Sequence, residues 1–445
     1  MKDQDKQLSI SNWKNVLASN DTGNTKLSEV LKHRLQLNDG WFRVRSVNVT
    51  GDNRYLIITF EDNAMIRVVD LEKLGYLPND YKGHTQTVRL TSITRDDKSF
   101  FTASWDGSYR KFEIASGKCS QVLSGIARSP SCFLEPEEKL LFTASYDSDF
   151  NAVSKNSGWC WDLSTGKAIH SYEHSAERLS HEAIDIAMDD GGVYTGSDDG
   201  RAYRWPLHGK QPLIEYFNFA GTVRKIAVSA NLFAAACTDG FVRVHNKISG
   251  ECLFNFPNAY TDLREVRISK DETKLWSASG HGSVLCYDLL NGKLIYKKTY
   301  HSSWIWSIAL MRDEQILVSG GGDGQVIFIS ANTGQLLARL YMLTDERDFL
   351  ITCPPDKSFL NGIFYTSNEE CIQVLAEDQA KESQEILDTN DPRYISYFNK
   401  LNLKNLILTR LKNKSQYDLL TKMHLENQKL LLQSQQNSGP KRLRA

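Results

Sequence analysis

Residues 83–117 read GHTQTVRLTSITRDDKSFFTASWDGSYRKFEIASG, and this stretch decides the fold. An apolar run from Val88 to Ile93 is followed by a polar turn at Asp96-Asp97-Lys98. A second run, Phe100 to Ser104, meets the tight turn Ser104-Trp105-Asp106-Gly107. A third ends near Phe112, and a turn with Gly117 leads into another β-rich stretch, Cys119 to Leu123. Short runs of β-branched and aromatic residues parted by Asp/Gly turns predict one small antiparallel sheet.

The same text recurs. Before it stand Val44 to Val49, a Gly51-Asp52-Asn53 turn, Tyr55 to Phe60 and Ile66 to Asp70. After it come Leu140 to Asp147 with Trp159 to Asp162, then Val193 to Gly200 with Ala202 to Trp205. Further copies hold Val223 to Val228 with Ala234 to Gly240, Leu263 to Ile268 with Leu275 to Gly282, and Ile305 to Leu310 with Ile316 to Gly324. A tight-turn Asp or His repeats at Asp62, Asp106, Asp147, Asp199, Asp239, His281 and Asp323. The spacing, roughly 40 to 50 residues, is that of propeller blades and excludes helical solenoids, whose units lack paired strands. Over about residues 40–340 the sequence resembles the WD40-repeat family. Gly83-His84 and Trp161-Asp162 carry its dipeptide marks, with weaker forms at Val69-Asp70 and Tyr287-Asp288. The fold expected is all-β: a seven-bladed WD40-type β-propeller with a small α-helical C-terminal extension.

Composition agrees with a binding module. The chain has 445 residues, of which 41% are hydrophobic and 24% charged, as in an ordinary globular protein. A repeat fold can hold such a length in one ring, because its core grows by stacking. A net charge of −1 argues against a surface built wholly for nucleic acid or anionic membrane. The eight cysteines are scattered without a C-x-x-C pair or a Cys/His cluster, which suits free thiols in a reducing compartment. Neither a signal segment nor a bilayer-length apolar run is visible, so a soluble cytoplasmic protein is expected.

The segments divide as a polar N-terminal stretch (1–28), the propeller (29–345), extra strands packed on it (346–376), a helical extension (377–435) and a basic tail (436–445). Within the first, Trp13 to Leu17 reads as a short helix. Two stretches could supply the outer strand that latches the last blade, Leu31 to Leu37 or Leu336 to Leu343. Residues 376–390 are charged and read as a linker, and Asp391-Pro392 reads as a helix start. Phe349 to Leu411 resembles the tail found after the propeller in some bacterial WD40 proteins associated with effector domains. Residues 415–433 place Leu420, Met423, Asn427 and Leu430 at coiled-coil-like spacing. That helix either lies on the propeller or offers a second contact to a partner.

Catalytic patterns are missing. There is no G-x-S-x-G and no phosphate loop; Gly320 to Gly324 falls at a strand turn, where glycine supplies positive φ. No metal or cofactor is expected. The resemblance implies that the turn residues Asp62, Asp106, Asp147, Asp199, Asp239 and Asp323 hold their turns by hydrogen bonds, with His84, His174, His281 and His301 as further ties. It also implies that the exposed positions near the channel mouth grip partners. Aligning the repeats places Arg45, Arg89, Arg224, Arg264 and Trp306 second in their inner strands, Arg43, Arg128 and Trp304 just before the inner strand, and Trp105 and Tyr146 before the turn aspartates. Arginine beside aromatic residues is the composition of binding hot spots. Two readings compete: a docking face, or arginines paired around the channel with Glu61, Glu182, Asp185, Asp198, Asp262 and Glu265. An insertion at Ser148 to Ser157 falls in a loop on the same face.

The function expected is a non-catalytic protein-interaction scaffold or sensor subunit binding an acidic or phosphorylated segment of a partner, possible in a bacterial effector system. A nucleic-acid-associated subunit is one alternative. A propeller enzyme is another, for which only Asp185 and Glu265 offer a buried titratable pair.

Overall fold

Each repeat folds as a meander, because its apolar runs are strand-length and its Asp/Gly turns reverse the chain. The computed structural model describes residues 42–342 apart from 125–130, 145–157, 175–182, 190, 218, 258–261 and 312–313. Outside that span it describes 13–15, 33–38, 349–353, 363–366, 372–378, 383–387 and 407. The chain divides into two compact units, Trp41–Gln335 and Met1–Gly40 with Leu336–Ala445.

The first unit is a seven-bladed β-propeller. Six antiparallel four-stranded sheets follow in chain order: blade 1 (44–76), blade 2 (88–124), blade 3 (132–172), blade 4 (183–216), blade 5 (223–257) and blade 6 (263–299). Blade 7 contributes Ile305–Met311, Ile316–Gly321 and Gln325–Ser330. Its inner strand meets that of blade 1, where Ser307 Oγ donates to Val47 O at 3.2 Å and closes the ring. Gly320 makes that seam possible: a Cβ there would lie 2.5 Å from Val44 Cγ1 and 2.9 Å from Val47 Cγ1.

The core lies between the blades. Ile57, Ile66 and Val68 of blade 1 pack on Val88, Phe100 and Phe112 of blade 2. Tyr194 and Tyr216 of blade 4 likewise pack on Val223, Ile226 and Phe233 of blade 5. A sheet covered on both faces buries its middle strand throughout, as at Ser99–Ser104, Gly192–Ser197 and Ile316–Gly321. The outer strands are mostly exposed, as in Cys119–Ser124 and Lys293–Thr299.

A polar girdle supplements this packing. In the turn joining the first two strands of blades 2, 3, 6 and 7, one acidic residue takes positive φ: Asp97 (56°), Glu138 (58°), Glu272 (57°) and Glu314 (65°). Each carboxylate accepts a backbone N–H from the equivalent turn of the preceding blade, namely Gly51, Arg95, Asn231 and Lys270. Neighbouring blades are thus tied by charge-assisted bonds as well as by apolar contact.

In the second unit, Leu336–Met342, Phe349–Cys353 and Ile363–Thr366 form an antiparallel ladder. A separate sheet runs in the order Trp13–Asn15, His33–Asn38, Ile372–Asp378, Ser383–Leu387. Three expectations are corrected here. Where a short helix starting at Trp13 was expected, Trp13–Asn15 is an edge strand, in keeping with the β preference of tryptophan. Both edges of His33–Asn38 are taken, by Trp13–Asn15 and Ile372–Asp378, so this stretch is not the latch of blade 7. The charged residues read as a linker, and the head of the expected helical extension with them, include the strand Ser383–Leu387. It too is an edge, where charges are tolerated and serve to blunt exposed backbone. Of the rest of the extension only Ile407 is described, helical and buried; helix 415–433 and the tail 436–445 lie outside the described residues.

Candidate functional site

The turn residues come first, because they hold the strands that carry the face. In blade 2, His84 Nδ1 lies 2.8 Å from Asp106 Oδ2, and its Nε2 lies 2.7 Å from Thr102 Oγ1. The Asp106 carboxylate also accepts Thr85 N and Ser108 N. Burial alone would raise this carboxyl, but bonds from His84, Ser108 and Thr85 outweigh it and hold the group well below its ordinary value. Blade 7 repeats the arrangement with His301, Asp323 and Ser319. Blade 4 extends it: His174 and the Trp205 indole each reach Thr195 Oγ1 at 2.8 Å, and Asp199 lies 3.6 Å from His174.

Two blades depart from the pattern. In blade 1 the turn is held by Asn63, whose Oδ1 accepts Met65 N at 2.9 Å; Asp62 is exposed and paired with Arg43. Asp62 is therefore not the turn residue. Glu61 N donates to Arg43 O as Trp105 N donates to Thr87 O in blade 2, so Glu61 holds the Trp105 place and the blade 1 turn carries one extra residue. In blade 5, Phe219 stands where a histidine would, and Asp239 is met instead by Arg243 at 2.8 Å. Asp239 still accepts Ala220 N and Phe241 N. Arg243 lies between Phe219 and Phe241, with ring centroids 5.3 and 5.1 Å away. Asp147 lies outside the described residues, as do Arg128 and Tyr146.

The face itself rests on a repeated irregularity. In blades 1, 2, 4, 5, 6 and 7 the ladder between the first two strands skips the second residue of the inner strand. The residues skipped are Arg45, Arg89, Ile184, Arg224, Arg264 and Trp306. A β-bulge leaves its extra residue out of the pairing and re-aims its side chain. The arginines and the tryptophan thus share one backbone device.

Their side chains join across four adjacent blades. The Arg264 guanidinium lies 4.5 Å from the Trp304 ring centroid, and the Trp304 and Trp306 rings are 6.0 Å apart. Arg45 lies 5.2 Å over Trp306 across the ring seam, with Arg43 beside it at 5.9 Å. Glu61 bridges Arg45 (3.1 Å) and Arg89 (3.3 Å), and Arg89 lies 4.4 Å over Trp105. Trp304 is 46% exposed, whereas Trp306 is 7% exposed and its buried Nε1 has no hydrogen-bond partner. Burial pushes the Arg45 guanidinium down to about 10; Glu61 opposes this, and Arg264 and Arg224 add to it. Arg89 is lowered by burial and by Arg45, Arg224 and Arg264, again against Glu61. The four arginines therefore sense one another in a partly dehydrated mouth.

The competing acids sort cleanly. Glu61, Asp62 and Asp262 pair with the face arginines. Asp185 does not: it takes Ser131 Oγ at 2.5 Å, Lys225 Nζ at 3.0 Å and Ile226 N at 2.9 Å. Glu265 is held by Arg267 at 2.9 Å, and burial raises its carboxyl. Asp198 lies beside Ser197 Oγ, and Glu182 is outside the described residues. Neither Asp185 nor Glu265 has a histidine within the contacts seen, and among the described residues no three His, Cys, Asp or Glu gather to hold a metal. No helix among the described residues is long and apolar enough to cross a membrane.

The family model described as "WD domain, G-beta repeat" matches residues 292–330, the end of blade 6 and most of blade 7. The chain is a seven-bladed β-propeller that carries a repeat similar to the WD domain. It is 22% identical over 250 residues to the F-box/WD repeat-containing protein 10 of Homo sapiens, covering 49% of this chain and 23% of that protein. It is 24% identical over 231 residues to the guanine nucleotide-binding protein subunit beta of Saccharomyces cerevisiae, covering 49% of this chain and 52% of that one. The matches thus span about a quarter and about half of these relatives' own lengths. Within this propeller the sequence marks have clear work: the Trp161 indole donates to Thr143 Oγ1 at 3.0 Å, and Asp162 caps Ser164 N and Thr165 N.

Proposed function

We propose that the chain is a non-catalytic protein-interaction scaffold or sensor subunit of a multi-protein complex. Its arginine–tryptophan arc takes an acidic or phosphorylated segment of a partner. The observation that carries this is the unbroken run Arg264, Trp304, Trp306, Arg45, Glu61, Arg89, Trp105, in which bulged backbone positions on four neighbouring blades converge. Broad aromatic area combined with guanidinium groups suits a carboxylate- or phosphate-bearing ligand. One similar protein is named as a subunit and others as F-box proteins, which supports a part in assemblies. A setting in which the effector is a separate chain, as in bacterial systems with similar tails, fits a propeller in which no three His, Cys, Asp or Glu gather to hold a metal among the described residues.

The test is affinity purification from the source cells with wild type and an Arg89→Ala/Arg264→Ala/Trp304→Ala variant, both checked by thermal melting. Loss of wild-type partners from a folded variant supports the reading. Equal recovery of the same partners would sink it and turn attention to residues 415–433. Capture of RNA or DNA that falls steeply with salt would favour a nucleic-acid subunit instead.

A further inference from the structure

Two of the face arginines each hold a carboxylate of their own propeller unshared. Asp262 Oδ2 accepts both Nε and Nη2 of Arg264, at 3.0 and 2.6 Å. Asp62 accepts Arg43 Nε on Oδ2 and Nη2 on Oδ1, a two-pronged pair. Both pairs lie within reach of water, with side-chain exposures of 20% and 30% for Arg264 and Asp262, and 42% and 43% for Arg43 and Asp62. Asp262 is a poor structural anchor. Its second oxygen, Oδ1, is buried with no hydrogen-bond partner, on a backbone at φ 73° that aspartate and asparagine enter more readily than most residues. A residue selected for stability alone would not leave a buried carboxylate oxygen unsatisfied.

We propose that Asp262 and Asp62 are internal competitors for the partner's negative groups, holding Arg264 and Arg43 until a segment of sufficient charge density displaces them. This rests on the docking face proposed above and adds a threshold to it. A single carboxylate from a partner would exchange like for like and gain little. A phosphoryl group brings close to two charges and three acceptor oxygens, and two adjacent carboxylates approach the same density. The internal acids therefore filter out singly charged segments. The other arginines of the mouth strengthen the filter: Arg45 and Arg89 share the one carboxylate of Glu61, so the incoming group meets a cluster that its own counter-ions leave in excess.

The experiment uses the full chain and three fluorescein-labelled peptides of one Gly/Ser background whose central residue is serine, glutamate or phosphoserine, read by anisotropy. Wild type should bind the phosphoserine peptide at least about tenfold more tightly than the glutamate peptide. Asp262→Asn keeps a residue that tolerates positive φ and removes the charge. It should tighten the glutamate peptide roughly two- to fivefold, the value of one partly exposed ion pair. The gain should vanish in Asp262→Asn/Arg264→Ala compared with Arg264→Ala. Asp62→Asn, on an exposed turn, provides the same comparison through Arg43 should Asp262→Asn melt early. If both asparagine variants bind the glutamate peptide no better than wild type while Arg89→Ala weakens the phosphoserine peptide, the competitor role is wrong and the docking face stands. If no peptide binds wild type or any variant, both are wrong.

Discussion

Replacing Arg243 with methionine should unlock blade 5 while leaving its apolar packing close to intact. Arg243 is the only cation seen against Asp239 among the described contacts, and both side chains are 8% exposed. Methionine keeps most of the stem that lies between Phe219 and Phe241, so the change chiefly deletes the charge. The Asp239 carboxylate would keep Ala220 N and Phe241 N but lose its counter-ion in a dry site. Breaking one side of such a pair costs about 3–5 kcal/mol. Urea denaturation followed by tryptophan fluorescence would read the loss, and Asp239→Asn/Arg243→Met should lose clearly less than the sum of the single changes. Phe219→His on the Arg243→Met background should recover part of the stability, because it restores the tie that His84 makes in blade 2. A cost below about 1 kcal/mol, or full additivity of the two single changes, would refute the idea that Arg243 does the work of the absent histidine.

Other outcomes follow from the same geometry. Glu272→Gln removes one charged acceptor from Asn231 N and Ser229 Oγ, and should cost about 1–3 kcal/mol with faster amide exchange at Asn231. Gly320→Ala forces a Cβ against Val44 and should lower stability by about 1–3 kcal/mol, with partial rescue by Val44→Ala. Asp106, Asp199 and Asp323 are each held below their ordinary value in the fold. Their contribution is therefore complete above the unfolded value near pH 4 and is lost as pH falls toward the folded one. Urea midpoints from pH 7 to pH 3 should decline less steeply for Asp106→Asn than for wild type, from a lower starting point.

Counting blades from the sequence worked because the Asp/Gly turn is local chemistry: an aspartate caps the nitrogen two residues on, wherever it stands. The face arginines were legible for a related reason, since a bulge at a fixed strand position makes the second residue of each inner strand equivalent. What failed were substitutions that keep a role while changing the residue. Asn63 performs the capping that Asp62 was expected to perform, and nothing local separates two adjacent candidates until their side chains are placed. Arg243 replaces a histidine from a different strand, a compensation that only the fold brings together. Which arginines find internal counter-ions was equally hidden, because Glu61 and Arg89 are 28 residues apart and meet between blades. The charged strand Ser383–Leu387 was missed because an edge position relaxes the apolar alternation by which strands are recognised.

The skipped residue at the head of each inner strand has a wider consequence. Because it stands outside the ladder, exchanging its side chain leaves the cross-strand backbone pairing untouched. The six such sites seen around one rim amount to a keyboard mounted on a fixed chassis: ligand preference can be rewritten key by key at little thermodynamic risk to the frame. Deleting one of these residues, by contrast, would remove the bulge and slide the start of the strand by one place, turning outward what now faces in.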